Sequence, residues 1–449
     1  MIPLPVLYGK VFRKWKKFLD ESQWWSKSEI EEYQIRELST LLNHAYNNVP
    51  YYKSLFEKEK IKPSDIDDFD RLSIIPPLTR TKIQNNLSKI KAKNYPSSKF
   101  QRVATSGSTT EPLSFYIQKK KSEQIENAFQ WRYRNIIGVN YKNEYIYLTG
   151  INLNTYASNG EEIWSKYFIP LRIFALSSFH LTDYYLEKYV KAINERPHSI
   201  LFGFPSSLYM LAKYMAKNDL TFKNIKLTHT GSENLYPYQR SLMRKQFGSE
   251  IFDHYGHAEQ CVFLHQCERA NLYHVIPEYG ITEIIDESGK NIRSEGKIGE
   301  MYGTSFMNYA FPFIRYKTGD MVEFSGKMCG CNRNFETIKS VQGRLQEFFI
   351  DINGKLIFLT AAVGALHEEI FKNLEKFQFY QDKKGVAILK IIPKKTYTDK
   401  DNETIMKALY SKMPNSIKIE IEKVDELSRT KAGKFMLMEQ KLSIDDFLI

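Results

Sequence analysis

Between Phe100 and about Val341 the chain alternates short strand-like runs with helical ones. "EYIYLTG" reads as a strand, "SILFGFP" as a strand feeding a helix to Met215, and "IKLTHTGSE" as a strand before the helix "PYQRSLMRKQF". Strand followed by helix, repeated, is the pattern of a sheet with helices packed over it, and it predicts an α/β core. Ahead of it, residues from about 12 to 60 read as helices with aromatic anchors, and Pro76-Pro77 with "LTRTK" marks a loop. At 449 residues the chain exceeds one ordinary core, so two or three domains are expected. No internal repeat or low-complexity segment is found.

The pattern changes after "VQGRLQE". "FFIDINGKLIF" reads as a hairpin with Asn353-Gly354 at its turn. "AVGALHEEIFKNL" reads as a helix, "GVAILKIIP" as a strand, "ETIMKALYSKM" as a helix and "IKIEIEKVDEL" as a strand. Together they form an α+β module of about a hundred residues, a usual domain size. The expected organisation is a large N-terminal domain of mixed sheets and helices over 1–343 and a small α+β domain over 344–449.

Hydrophobic residues make up 42% and charged residues 26%, as in soluble globular proteins. The longest nearly apolar run, Leu356–Leu366, is far short of the roughly 20 residues of a bilayer span. The start lacks the order of basic, apolar and small-residue segments of a secretion signal, so the chain reads as cytoplasmic with no transmembrane segment. The net charge of +12 favours small anionic partners such as nucleotides, CoA or sugar phosphates, or equally reflects a lysine-rich surface. The basic residues are scattered, without zinc-finger spacing or a basic helical arm, so nucleic acid is not an expected partner.

"ATSGSTTEPLSFY" packs five hydroxyl side chains and one glycine into Thr105–Thr110. It reads either as a plain surface loop or as a cradle whose amides and hydroxyls converge on a phosphate. The P-loop and dinucleotide fingerprints are absent. Four further stretches fit a nucleotide site: "HTGSEN" (229–234), "DHYGHAEQ" (253–260), "IRYKTGD" (314–320) and "RTKAGKF" (429–435). Each alone also reads as a turn with a packed ring or an exposed charge.

Together and in this order, the five resemble the motifs of the adenylate-forming superfamily, closest in its phenylacetate–CoA ligase and CapK-type capsular polysaccharide branch. "NNVPYY", "FGFPSSL", "YGHAEQ", "YHVIPEYGITEIID" and "NYAFPFIRYKTGD" carry that likeness, which spans nearly the whole chain. The resemblance implies a large adenylation domain and a mobile C-terminal domain. It implies that Thr105, Ser106, Gly107, Ser108 and Thr109 hold the β- and γ-phosphates of ATP. Gly231, Ser232 and Glu233 would line one face of adenine, and Tyr255, before Gly256, would stack on the other. Glu259 would carry Mg²⁺, Asp320 would accept the ribose hydroxyls, and Arg344 would contact ribose or phosphate. Lys434 would bridge the substrate carboxylate and the α-phosphate. The implied reaction joins a small carboxylic acid to AMP with loss of pyrophosphate. The acyl group then passes to CoA or to an amine of an amino sugar or amino acid, in a surface-polysaccharide pathway. A homodimer is compatible with the resemblance.

Three positions depart from the family pattern: Thr110-Glu111 stands where a glycine and often a lysine are usual, Gln346 where an acid is usual, and His257-Ala258 where small or hydroxyl residues are commoner. Glu111 and Gln346 would also suit a catalytically degenerate nucleotide-binding or scaffolding member of the same fold. "FGFPSS" with Phe204 and Pro205, Trp131, His229 and His254 resemble the wall of the acyl pocket, and also fit ordinary core packing. Four cysteines do not make a disulfide framework. Cys267, His274, Cys329 and Cys331 supply three thiolates and an imidazole, a complete tetrahedral zinc set. His265 is the rival fourth ligand and Cys261 the odd one out; the alternative is small buried hydrophobes and a turn.

Overall fold

The computed structural model describes residues 8–105, 113–149, 153, 163–178, 180–233, 235, 237–286, 288–341, 348–358, 362, 373–411, 413, 415–428 and 438–442. The chain forms two compact units, Met1–Val103 with Phe115–Arg344, and Ala104–Ser114 with Leu345–Ile449.

The large unit opens with helices α1 (Gly9–Ser22), α2 (Lys27–Asn48), α3 (Pro50–Glu59) and α4 (Arg80–Asn85). Ser26 starts α2 with a capping box: its hydroxyl accepts from the Glu29 amide, and the Glu29 carboxylate accepts from the Ser26 amide at 2.7 Å. Pro50 opens α3, where the first turn leaves amides unpaired and a missing N–H costs nothing. Strands β1 (Phe100–Ala104) and β2 (Ser114–Gln118) pair as a two-stranded sheet, and α5 (Lys121–Ile136) follows.

The α/β alternation then runs β3 (Tyr145–Thr149), β4 (Ser165–Phe168), β5 (Ile173–Ser177), α6 (Asp183–Asn194), β6 (Ile200–Gly203), α7 (Pro205–Lys217), β7 (Leu227–Gly231), α8 (Pro237–Phe247) and β8 (Ile251–Gly256). Antiparallel strands complete it: β9 (Phe263–Gln266), β10 (Tyr273–Val275), β11 (Gly280–Ile285), β12 (Ile298–Ser305), β13 (Tyr316–Phe324) and β14 (Thr337–Val341). All twelve join one sheet in the order β11-β12-β13-β14-β10-β9-β8-β7-β6-β3-β5-β4. The run β5-β3-β6-β7-β8 is parallel, and the crossovers through α6, α7 and α8 return the chain to the same end of the sheet. Its core gathers Ile146, Leu148, Leu176, Leu201, Leu208, Leu211 and Met243 from these strands and helices.

One buried ion pair fixes α5. Arg132 Nη1 donates to Glu278 Oε1 at 2.6 Å, the Ser22 hydroxyl donates to the same oxygen at 2.5 Å, and neither charged side chain is more than 1% exposed. Removing one partner of such a pair strands the other charge at a cost of about 3–5 kcal/mol. The pair therefore holds the register of α5, and with it Trp131, Tyr133 and Arg134.

In the small unit β15 (Phe348–Ile350) and β16 (Leu356–Phe358) form an antiparallel hairpin, with Gly354 in the turn at φ +79°. A four-stranded sheet follows from β17 (Leu374–Lys383), β18 (Val386–Pro393), β19 (Lys418–Lys423) and β20 (Met438–Gln440), in the order β19-β18-β17-β20. Helix α9 (Asp399–Tyr410) connects β18 to β19. Ala387, Leu389 and Ile391 of β18 are buried at alternate positions, the period of a strand with one face on the core. Of the expected helix "AVGALHEEIFKNL" only Ala362, Asn373 and Leu374 are among the described residues, and Leu374 opens β17 instead of closing a helix. Among the described residues no helix is long and apolar enough to cross a membrane.

Candidate active site

Parallel pairing of β7 with β8 sets Gly231 opposite His254. A Cβ added at Gly231 would fall 2.2 Å from His254 Cε1, so only glycine allows this approach. Ser232 follows in a left-handed conformation, φ +71°, and is exposed, and Glu233 is half-buried. At the end of β8 the Tyr255 hydroxyl donates to Asp320 Oδ2 at 2.7 Å. Asp320 lies on β13, four places from β8 in the sheet order. The sheet therefore brings the 231–233, 255–259 and 316–320 segments into one neighbourhood, although they are separated in sequence.

Glu259, buried beyond Gly256, accepts from the Tyr316 hydroxyl at 2.9 Å and from His257 Nδ1 at 3.0 Å. His257 Nε2 in turn accepts from the Val262 amide at 3.3 Å, which places the proton on Nδ1. Burial opposes ionisation of Glu259, but the hydrogen bonds from His257 and the Tyr316 hydroxyl outweigh it and hold the carboxyl at about 2. An ionised, oriented carboxylate is a fit ligand for a hard divalent cation. Tyr316 carries no signal of its own in the sequence beyond lying four residues before Asp320.

Thr105 closes the base of the hydroxyl-rich loop: its amide donates to the Leu113 carbonyl at 3.0 Å, and its hydroxyl accepts from the Leu113 amide at 3.0 Å. Ser106, Gly107, Ser108, Thr109, Glu111, Arg344, Gln346 and Lys434 lie outside the described residues.

The residues suggested for an acyl pocket separate into two groups. His229 and His254 meet directly, with His229 Nε2 and His254 Nδ1 3.0 Å apart. His254 Nδ1 also lies 2.9 Å from the Thr230 carbonyl, which only accepts, so His254 Nδ1 carries the proton and His229 Nε2 accepts. Burial pulls His254 down to about 4 and the Arg134 charge acts in the same direction, against the opposing Thr230 bond; burial pushes His229 well down as well. Tyr133 and Phe202 pack on this pair at 5.2 and 5.0 Å from His229, and Phe263 lies 5.8 Å from His254. Trp131 instead contacts Tyr8, Tyr141 and Tyr145, with Arg134 over its face. Phe204 caps α7 and Pro205 opens it. No sequence motif singles out Tyr133 and Arg134, which differ from core helix residues only by their polar ends.

Cys267, His274, Cys329 and Cys331 come together with their ligand atoms all within 4.8 Å of one another, and all four are buried. His274 Nε2 lies 3.3 Å from Cys331 Sγ, and the Arg269 amide donates to Cys267 Sγ at 3.3 Å. The grouping contains neither Cys261 nor His265; His265 instead stacks on Tyr133 at 4.6 Å. Three thiols and an imidazole at this spacing fit tetrahedral zinc.

Residues 352–441 match the CapK C-terminal domain family. The chain is 22% identical over 442 residues to Protein CapK of Staphylococcus aureus, covering 95% of this chain and 93% of that one. It is 23% identical over 384 residues to the phenylacetate-coenzyme A ligase of Pseudomonas putida, covering 82% and 81%. Among solved structures, 2-hydroxyisobutyryl-CoA ligase in complex with 2-HIB-AMP and CoA aligns with a TM-score of 0.61 at 16% identity, over 93% of this chain and 91% of that chain. The same ligase in its postadenylation state aligns with a TM-score of 0.58 at 16% identity, over 94% and 92%. These structures share the fold.

Proposed function

We propose that this chain, which belongs to the adenylate-forming superfamily in its phenylacetate–CoA ligase and CapK-type branch, is an ATP-dependent ligase that activates a carboxylic acid as its acyl-adenylate. The observation that carries the reading is the convergence of Gly231 of β7, Tyr255 of β8, Glu259 in the turn after β8 and Asp320 of β13, with the Tyr255–Asp320 and Tyr316–Glu259 hydrogen bonds joining the last three. In this reading Gly231, Ser232 and Glu233 line adenine, Tyr255 stacks on it, and Asp320 accepts the ribose hydroxyls. Thr105 and the 106–109 segment hold the triphosphate, and Arg344 contacts ribose or phosphate.

The acid's carboxylate attacks the α-phosphorus, and pyrophosphate leaves. Two anions must meet, so preorganised donors and cations carry most of the catalysis. Glu259 is held ionised and oriented to receive Mg²⁺, which when bound neutralises charge beside the α-phosphate. Lys434 draws the two anions together. The acyl group then passes from the adenylate to the thiol of CoA or to an amine with AMP leaving, in surface-polysaccharide synthesis. Cys267, His274, Cys329 and Cys331 would hold a zinc ion in a structural role.

Pyrophosphate exchange over a panel of carboxylic acids tests the reading. Acid-dependent exchange is expected, and subsequent acyl transfer to CoA or an amine identifies the acceptor. Exchange with no acid would leave a nucleotide-binding scaffold on the same fold.

A further inference from the structure

Three buried arginines of the large unit are paired with acids. Arg132 meets Glu278, Arg315 meets Glu283 and Arg333 meets Glu268, each within 2.9 Å. Arg134, half-buried on α5, has no carboxylate partner among the described residues. Its guanidinium lies 5.0 Å from the ring centres of both Trp131 and Tyr145, and Nη2 donates to the Tyr147 hydroxyl at 3.0 Å. That commits one of five N–H donors, and the covered Nε has no partner.

The groups around it are unsatisfied in the same sense. Trp131 Nε1, the Tyr145 hydroxyl and His229 Nδ1 are also buried without partners, on side chains 2%, 3% and 0% exposed. With the protonation derived above, His229 Nδ1 is an N–H, so all four groups offer hydrogens. A buried donor without an acceptor costs free energy, and a covered cation without a counter-charge costs more. Four donors in a connected row, one of them on a cation, call for an acceptor-rich anion.

The row has a direction. Tyr145 leads to Tyr147 at 5.5 Å, Tyr147 to Phe202 at 4.9 Å, and Phe202 to His229 at 5.0 Å. His229 is two residues before Gly231 on β7. One end therefore meets the assigned adenylate site and the other end is Arg134.

We propose that the acid activated by this chain carries a second carboxylate, remote from the one that is adenylated, and that Arg134 receives it with Trp131 Nε1 and the Tyr145 hydroxyl as supporting donors. The inference rests on the ligase reading and adds the substrate class to it. Guanidinium suits the role because its planar fork matches a carboxylate and keeps its charge when buried. The aromatic stretch between the two ends suits an apolar spacer.

The experiment is pyrophosphate exchange by the full chain with matched sets: a dicarboxylic acid, its mono-amide and the corresponding monocarboxylic acid, with aliphatic and aryl spacers. Wild type should favour the diacid by roughly 10²-fold or more in kcat/KM, the scale of losing one partner of a buried charge pair. Arg134→Met should lower the diacid-to-monoacid ratio by a similar factor, chiefly through KM, and Arg134→Lys should restore part of it. If the methionine variant does not fold, Tyr147→Phe keeps the ring and should lower the same ratio by about 10-fold. A wild type that uses the monoacid or mono-amide as well as the diacid would overturn the proposal while the ligase reading stands. So would an unchanged ratio in the folded variants. Exchange with no acid of any class would overturn both.

Discussion

The buried histidines make a pH prediction with a definite sign. His254 sits at about 4 in the fold against an ordinary value of 6.5, because burial and the nearby Arg134 charge disfavour imidazolium. As pH falls through 6.5 the unfolded chain takes up a proton there, and the folded chain does not until about 4. Stability is therefore full above 6.5 and declines below it. Each pH unit between the two values is worth about 1.4 kcal/mol, so His254 alone removes about 2 kcal/mol by pH 5 and about 3 kcal/mol at pH 4. His229 and His265 are pushed the same way by burial and steepen the decline. The assay is urea unfolding followed by tryptophan fluorescence at a series of pH values from about 7.5 to 5, in wild type and His254→Gln. The variant should show a shallower decline, with the two curves converging as pH falls. Equal slopes, or a wild type whose stability is flat across the range, would refute the neutral, buried state derived for this imidazole.

Lys434→Ala should lower adenylate formation by roughly 10²–10³-fold, the scale of one preorganised donor at developing charge, with ATP binding little changed; exchange assays and nucleotide titration check it. Protein made with zinc present should carry one metal per chain, and Cys329→Ser with Cys331→Ser should lose it together with stability, read by metal analysis and thermal unfolding. Gln346→Pro should slow acyl transfer far more than pyrophosphate exchange, because proline fixes φ at the expected pivot between domains. Equal loss of both half-reactions would place the pivot elsewhere.

Much of the fold is legible because its strands announce themselves. "SILFGFP", "IKLTHTGSE" and "GVAILKIIP" are apolar or alternating runs bounded by turn residues, and they lie at β6, β7 and β18. β17 is harder to read, since "LEKFQFYQDK" carries charges that its pairing with β18 and β20 tolerates. The grouping of Cys267, His274, Cys329 and Cys331 could be read from side-chain chemistry alone. Tyr316, Tyr133 and Arg134 could not. Their surroundings depend on which strands become neighbours, and a tyrosine or arginine on an otherwise apolar face has no local mark of what it will touch.

The position of β14 bears on how the chain is made. It is the last strand of the large sheet to be synthesised, yet it sits between β13 and β10 and pairs with both. On the ribosome, everything up to β13 can emerge while the sheet still has a gap between β13 and β10. Cys267 and His274 lie on one side of that gap, and Cys329 and Cys331 arrive just ahead of the strand that fills it. Such a seam closes late and over a long sequence separation, the kind of step that limits folding rate and leaves strand edges open in the meantime. A metal ion captured by the four side chains would act as a clasp on that seam, and would tie vectorial synthesis of the chain to the supply of that metal.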